Sequence, residues 1–121
     1  MAMLAQAASA LPDEEIVARV LHGEAALFEL IVRRHNQRLY RATKAILRDD
    51  AEAEDAMQEA YVRAFVKLDQ FAGEAKFSTW LTRIAVYEAL GRLRRRKQQQ
   101  EIPDTMKSRD NPERAAQDAE M

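Results

Sequence analysis

The segment KFSTWLTRIAVYEALGRLRRRK, residues 76–97, begins with aromatic side chains and ends in a run of cations. Its apolar residues recur three and four positions apart, which is the spacing of one face of an α-helix. The apolar side moves to nearly the opposite face close to Val86. We therefore predict a long helix whose middle is packed from two sides and whose basic end meets an anionic partner. The alternative is a basic end that only keeps the domain soluble.

The composition is that of one small helical domain. The chain has 121 residues, of which 47% are hydrophobic, with three glycines and three prolines, too few for a β-rich or disordered protein. Good helix formers are abundant and β-branched runs are short, so the predicted class is all-α. We expect a compact bundle of about four helices in residues 13–98. Residues 1–12 are expected to be disordered, and residues 99–121 to form a flexible linker or tail.

Several classes of protein are excluded by what the sequence lacks. It has no cysteine, and therefore no disulfide framework or thiolate metal site. It has no Gly-rich phosphate loop and no paired-histidine motif, so we predict a non-enzyme with no catalytic residue, no metal site and no cofactor. No apolar run approaches the ~20 residues that cross a bilayer. The N-terminus lacks the basic start of a secretory signal, which predicts a cytoplasmic location.

The charged residues are segregated into blocks, although the formal net charge is only −1. Residues 33–48 contain six basic residues and no acidic one, and residues 49–59 contain six acidic residues and no basic one. Residues 76–97 contain seven basic residues against Glu88 alone, and Glu88 is spaced to pair with Arg92 one turn later. This segregation predicts separate surfaces for partners of opposite sign. The alternative is that each block only solvates a helix face.

Two helices are predicted before the acidic block. The first covers residues 13–22 and ends at Gly23, and the second covers residues 24–47 with one apolar stripe and one cationic face. His35 lies on the apolar stripe. We interpret it as a packed, hydrogen-bonded histidine rather than a ligand, since no neighbouring residues supply metal spacing.

The third helix is predicted to start at the N-cap Asp49, with Glu52 three positions on. Its core stripe extends as far as Phe65 and Leu68. The other side is acidic and continues into Val62 and Val66, which indicates a protein-docking surface. The alternative is that the two valines pack on the first helix. A linker over residues 69–76 follows, and Ser78 or Thr79 is predicted to cap the fourth helix.

Two long segments resemble the N-terminal core-binding domain of bacterial sigma factors of the extracytoplasmic-function (ECF) group. They are RLYRATKAILRDDAEAEDAMQEAYVRAF, residues 38–65, and DQFAGEAKFSTWLTRIAV, residues 69–86, followed by LRRR, residues 93–96. The resemblance covers about residues 13–98. It implies a helical domain, known as region two, that docks on core RNA polymerase and recognises and melts the promoter minus-ten element.

The resemblance also implies which residues meet the polymerase. The helix that carries Asp55, Gln58 and Glu59 is similar to the one that binds the coiled coil of the largest polymerase subunit. Glu52 and Val62, on the same predicted docking surface, complete the expected set. An anti-sigma factor is a further expected partner.

The DNA-binding residues follow from the same resemblance. The loop of residues 69–77 is similar to the family's specificity loop, which captures a base flipped from the non-template strand, and the helix after it to the one that reads and melts the element. Single strands are held by cationic grooves and stacking side chains. Arg41 and Lys44 are added on charge alone. The remaining expected residues are Lys76, Ser78, Thr79, Trp80, Arg83, Tyr87, Arg92, Arg94, Arg95 and Arg96.

Two residues depart from the family's pattern. The family usually has Asn at the position of Tyr87 and often Asp at that of Gly91. Tyr87 either stacks on a base or fills space. Glycine inside a helix costs roughly 1 kcal/mol relative to alanine, which predicts close packing or close backbone approach at Gly91.

Two other functions stay open from the sequence. One is a helical regulator that binds a protein through the acidic surface and never contacts DNA, and the other is a duplex-reading helix-turn-helix repressor. The family's full-length members carry a second, helix-turn-helix domain. We therefore expect this chain to be a fragment ending in the linker to that domain, the alternative being a one-domain variant.

Overall fold

The computed structural model describes residues 10–101, which form an all-α bundle; the predicted tails lie largely outside them. Its α-helices are α1, Asp13–Leu21; α2, Phe28–Leu47; α3, Asp50–Val66; and α4, Phe77–Glu101. Short 3₁₀ turns, Ala25–Leu27 and Leu68–Gln70, precede α2 and follow α3. The predicted all-α class is confirmed. The second helix was predicted from residue 24, but a 3₁₀ turn occupies its expected first residues.

Local sequence signals explain most helix boundaries. Asp49 has an extended backbone, and its carboxylate accepts a hydrogen bond from Glu52 N at 2.9 Å, which confirms the predicted N-cap. Arg48 ends α2 in the left-handed region, with φ 58°, and the chain therefore reverses in only two residues. Gly23, with φ 112°, follows α1 as predicted, since a residue without Cβ adopts this conformation readily.

The start of α4 differs from the prediction. The helix begins at Phe77, so Ser78 and Thr79 lie within its first turn and neither caps it. Instead, Glu14 of α1 accepts a hydrogen bond from Phe77 N at 3.3 Å. An acceptor from another helix thus satisfies one of the free amides that every helix N-terminus exposes.

The core lies where α2, α3 and α4 meet, and α1 covers it. The contribution of α3 is made mainly by small residues: Ala53, Ala56, Ala60 and Ala64 are fully buried, as are Ala85 and Ala89 of α4. Helix axes approach more closely when the contact residues are small, and the two helices carrying the candidate residues are therefore packed tightly. The largest fully buried side chains are Ile16, Ile31, Leu39, Leu47, Leu68, Phe77 and Leu81.

Three single-residue predictions have clear outcomes. His35 is buried, with Nε2 2.8 Å from Asp13 Oδ2, which confirms the packed, hydrogen-bonded histidine. Phe65 was predicted in the core, but its side chain is 45% exposed. Its ring packs edge to face on Phe28, with the ring centres 5.2 Å apart. The close packing predicted at Gly91 is also wrong, since a Cβ there would have only Arg95 Nη1 nearby, at 3.6 Å.

Candidate nucleic-acid and protein interfaces

One stripe of α4 faces solvent. Between Phe77 and Lys97 its exposed residues are Arg83, Tyr87, Leu90, Arg94 and Lys97, spaced three and four positions apart and therefore on one side of the helix. We call these five residues the solvent face of α4. Within the part of the chain that the structure describes, none of its cations forms an ion pair. Three of the predicted DNA-binding residues, Arg83, Tyr87 and Arg94, lie on it.

The other aromatic residues near the start of α4 are engaged with one another. The ring of Trp80 lies 5.5 Å from the rings of both Phe71 and Phe77, and Trp80 is half-buried. Phe71 and Phe77 meet edge to face at 5.4 Å. The predicted residues Ser78 and Thr79 are half-buried in the first turn, whereas Lys76 is exposed just before it. This aromatic cluster fixes the predicted specificity loop against the start of α4.

The arginine run divides into an outer and an inner set. Arg94 is exposed, whereas Arg92, Arg95 and Arg96 are half-buried. Arg92 Nε donates to Glu88 Oε1 at 3.1 Å, which confirms the predicted pair. The same carboxylate lies 3.2 Å from Arg63 Nε of α3. Glu88 therefore joins α3 to α4 with a cation on each side.

Arg96 contacts two other helices. Its Nη1 lies 3.1 Å from Glu52 Oε2, and its Nη2 donates to the Leu47 carbonyl at 3.0 Å. A residue predicted to bind DNA is thus paired with one predicted to bind polymerase. Both are partly withdrawn from outside partners, since an external ligand would have to compete with these contacts.

Of the two cations predicted on α2, Arg41 is exposed and Lys44 is paired. Lys44 Nζ lies 2.5 Å from Asp50 Oδ1, and the Tyr40 hydroxyl donates to the same oxygen. The hydrogen bond from Lys44 lowers the pKa of Asp50, and the same contact raises the pKa of Lys44. The pKa of Tyr40 is raised, mainly because its hydroxyl donates a hydrogen bond to Asp50.

Three of the residues predicted to bind the polymerase lie on the exposed side of α3. Asp55, Gln58 and Val62 are exposed at spacings of three and four, on one side of the helix. Val62 is 57% and Val66 71% exposed, so the alternative in which these valines pack on α1 is wrong. We call Asp55, Gln58, Val62 and Val66 the outer face of α3. Glu52 and Glu59 lie beside it, and Glu59 Oε1 is 3.5 Å from Arg63 Nε.

A groove of about 300 Å³ between α2 and α3 was not anticipated from the sequence. Gln58 borders it, and the Tyr61 hydroxyl donates across it to the Val32 carbonyl at 3.3 Å. Burial raises the pKa of Tyr61 to about 12. The groove extends the outer face of α3 with polar and aromatic groups. Its lining residues are Val32, Asn36, Tyr40, Glu54, Met57, Gln58 and Tyr61.

Two other kinds of site have no candidate among residues 10–101. No group of three or more His, Cys, Asp or Glu side chains is placed to hold a metal ion. No helix over the same residues is long and apolar enough to span a bilayer.

The sigma-70 region 2 family matches residues 31–99, more than half of the sequence. The chain therefore belongs to the sigma-70 region 2 family, and the resemblance to sigma factors is confirmed.

Individual relatives are ECF and other sigma factors. The chain is 38% identical over 81 residues to the ECF RNA polymerase sigma factor SigW of Bacillus subtilis, covering 67% of this chain and 43% of that protein. It is 35% identical over 81 residues to the RNA polymerase sigma-H factor of Pseudomonas aeruginosa, covering 67% and 42%. The ECF RNA polymerase sigma-E factor of Escherichia coli K12 is 35% identical over 79 residues, covering 65% and 41%. The chain thus spans less than half the length of these relatives.

A solved structure shares the fold. It is an NMR structure of the complex formed by an engineered region 2 of sigmaE with GTAAAA. The TM-score is 0.69 at 34% sequence identity, with 76% of this chain and 96% of that chain covered. The helical architecture is therefore that of sigma region 2.

Proposed function

We propose that the chain is the part of an ECF-type sigma factor that docks on core RNA polymerase and recognises and melts the promoter minus-ten element. It is a non-enzymatic specificity subunit that acts in the cytoplasm with the polymerase. The observation that carries the proposal is the pair of unlike exposed surfaces on adjacent helices of a sigma region 2 fold. One is cationic with an exposed aromatic, and the other is acidic and apolar.

The outer face of α3 is the proposed polymerase contact. Asp55 and Gln58 offer exposed polar groups, and Val62 adds apolar area, a mixture that suits a protein partner. The coiled coil of the largest polymerase subunit is the proposed occupant, and an anti-sigma factor is a further proposed partner. Glu52 contributes mainly by holding α3 against α4 through Arg96. Glu59 is paired with Arg63 on its own helix, one turn later.

The solvent face of α4 is the proposed strand contact, together with Lys76 and Arg41. Its unpaired cations can neutralise phosphates, which makes single-strand binding favourable and sensitive to salt. Arg92 and Arg96 support α4 rather than contact the strand, since their charges are paired with Glu88 and Glu52. Lys44 is paired with Asp50 at the junction of α2 and α3, so we assign it no direct strand contact. Extruding a base costs a few kcal/mol, which phosphate and stacking contacts offset.

A run-off transcription assay tests the proposal, with core polymerase and the full-length protein that carries this domain. We expect promoter-dependent transcripts, and on a template with a pre-melted minus-ten segment we expect Arg83→Ala to lose less activity than on duplex. No transcripts but capture of another protein would favour the regulator without DNA contact. Tight duplex binding without polymerase, with no preference for the melted template, would favour the helix-turn-helix repressor.

A further inference from the structure

The solvent face of α4 has an apolar centre between cations. Tyr87 is 69% and Leu90 40% exposed, and they lie one turn apart on the same side of the helix. Arg83 precedes Tyr87 by about 6 Å along the axis and Arg94 follows Leu90 by about 6 Å, at 1.5 Å per residue. A large aromatic and a leucine left in water between two unpaired guanidinium groups form a surface that a flat, negatively charged ligand would cover.

The described residues of α4 offer one freely exposed aromatic. Phe77 is fully buried, and Trp80 is half-buried with both of its aromatic neighbours 5.5 Å away. For a nucleobase to stack on Trp80, the cluster with Phe71 and Phe77 would have to open. Tyr87 needs no such rearrangement. Its exposure also excludes the alternative in which it fills space inside the domain.

We propose that Tyr87, with Leu90 beside it, is the base-stacking platform of α4. An unpaired base of a nucleic-acid single strand lies on the phenol ring and the leucine side chain, and Arg83 and Arg94 contact the flanking phosphates. This inference rests on the proposed strand binding and assigns the stacking to Tyr87 instead of Trp80. Because every base has a π-face, the platform accepts any base and strengthens binding with little sequence preference.

The test is fluorescence anisotropy with the whole 121-residue chain and fluorescein-labelled single strands: the hexamer GTAAAA, dT12 and dA12. Tyr87→Ala is expected to weaken binding to all three by about 5- to 140-fold, the range for one base–aromatic stack. Tyr87→Phe keeps the ring and is expected to stay within about twofold. Leu21→Ala, which removes another exposed apolar side chain, is the matched control and should leave binding unchanged.

A second measurement locates the stacked base. On the strand that binds best, each base is removed in turn by an abasic substitution. In the unaltered chain, removal at one position should weaken binding, and in Tyr87→Ala that penalty should disappear. Circular dichroism confirms that the variants fold, which the exposure of Tyr87 leads us to expect.

The outcomes separate the two proposals. If the chain binds strands and Tyr87→Ala binds equally well, or keeps the same abasic penalty, the stacking role is overturned and strand binding stands. If the unaltered chain binds none of the three strands, strand binding by this domain is overturned, and the stacking role with it.

Discussion

Arg96 of α4 lies 3.1 Å from Glu52 of α3 and donates to the last carbonyl of α2. One guanidinium thus meets the first turn of α3 and the C-terminal end of α2, where a helix leaves carbonyls without partners. Arg94, two residues earlier, is exposed and has no ion-pair partner among the described residues. Neighbouring members of one basic run therefore have different roles, one inside the domain and the other on its surface.

Arg96→Ala is expected to lower the free energy of unfolding by about 1–2 kcal/mol, because it leaves Glu52 and the Leu47 carbonyl without their donor. The expected loss is small because the Arg96 side chain is partly exposed and solvent screens its pair with Glu52. Arg94→Ala should change stability by less than about 0.5 kcal/mol but weaken strand binding. Urea unfolding of both variants checks this. Equal losses of stability would contradict the division into inner and outer arginines.

Gln58→Ala is expected to weaken binding to core polymerase by about 5- to 30-fold with the fold intact, the usual range for an interface residue that matters. The side chain is exposed on the outer face of α3. Gln99→Ala, at an exposed position near the end of α4, is the control. A pull-down with titrated core polymerase measures both. Glu59→Lys should also weaken binding, but it is a less specific test, because it replaces the Glu59–Arg63 ion pair with two neighbouring cations. Unchanged affinity of Gln58→Ala would remove the docking role from this face.

Asp13→Ala is expected to destabilise the domain by about 1–3 kcal/mol. Its carboxylate meets Arg34 Nη1 at 3.0 Å and the nearly buried His35 at 2.8 Å, and both would lose an acceptor. Glu15→Ala removes an acid from the same first turn, but its partner Arg19 lies 3.8 Å away in solvent. That control should cost less than about 0.5 kcal/mol. Thermal unfolding of both variants decides whether the α1–α2 contact matters.

Gly91→Ala is expected to raise the free energy of unfolding by about 0.5–1 kcal/mol, because alanine favours the helix and the added Cβ meets no obstacle. Its nearest neighbour would be Arg95 Nη1 at 3.6 Å, an ordinary contact. Chemical denaturation measures the gain. A loss of stability would contradict the prediction, because it would mean that a methyl group at this position clashes with its surroundings.

Stability is expected to fall as the pH rises from about 10 to about 12, because burial holds the pKa of Tyr61 at about 12 in the folded state while the unfolded chain ionises near 10. In that interval the unfolded state has lost a proton that the folded state keeps, so rising pH favours unfolding. Below pH 10 both states are neutral and this effect vanishes. Tyr61→Phe should decline less over the interval, as shown by unfolding free energies measured against pH. Parallel declines would show that Tyr61 is not responsible.

The features that sequence reasoning predicted correctly are those set by near neighbours in the chain. Apolar spacing located the four helices, and Asp49 was identified as an N-cap because its hydrogen-bond partner is three residues away. The start of α4 was misplaced because the acceptor for Phe77 N comes from Glu14, 63 residues earlier. Phe65 was misplaced for a similar reason, since the burial of its side chain depends on the position of Phe28 on another helix.

The candidate surfaces show the same limit. Asp55 and Val62 were predicted to share a face because their spacing along one helix places them on the same side, whereas Gln58 was added by the resemblance. The roles of Arg94 and Arg96 could not be separated in advance, since their difference depends on how α4 crosses the junction of α2 and α3. The groove beside Gln58 was missed because its walls come from two helices.

The short helix α1 lies before residue 31, where the match to the sigma-70 region 2 family begins. Its nine residues nevertheless bury Ile16, Val17 and Val20 in the same core cluster as Ile31 and Phe77. A polypeptide trimmed to the matched segment would lack α1, and the core residues that α1 covers, such as Ile31 and Phe77, would be exposed to water. It would also lack Glu14, the hydrogen-bond acceptor of Phe77 N. Expression clones of this domain should therefore start no later than residue 10, and clones that lack α1 are expected to aggregate.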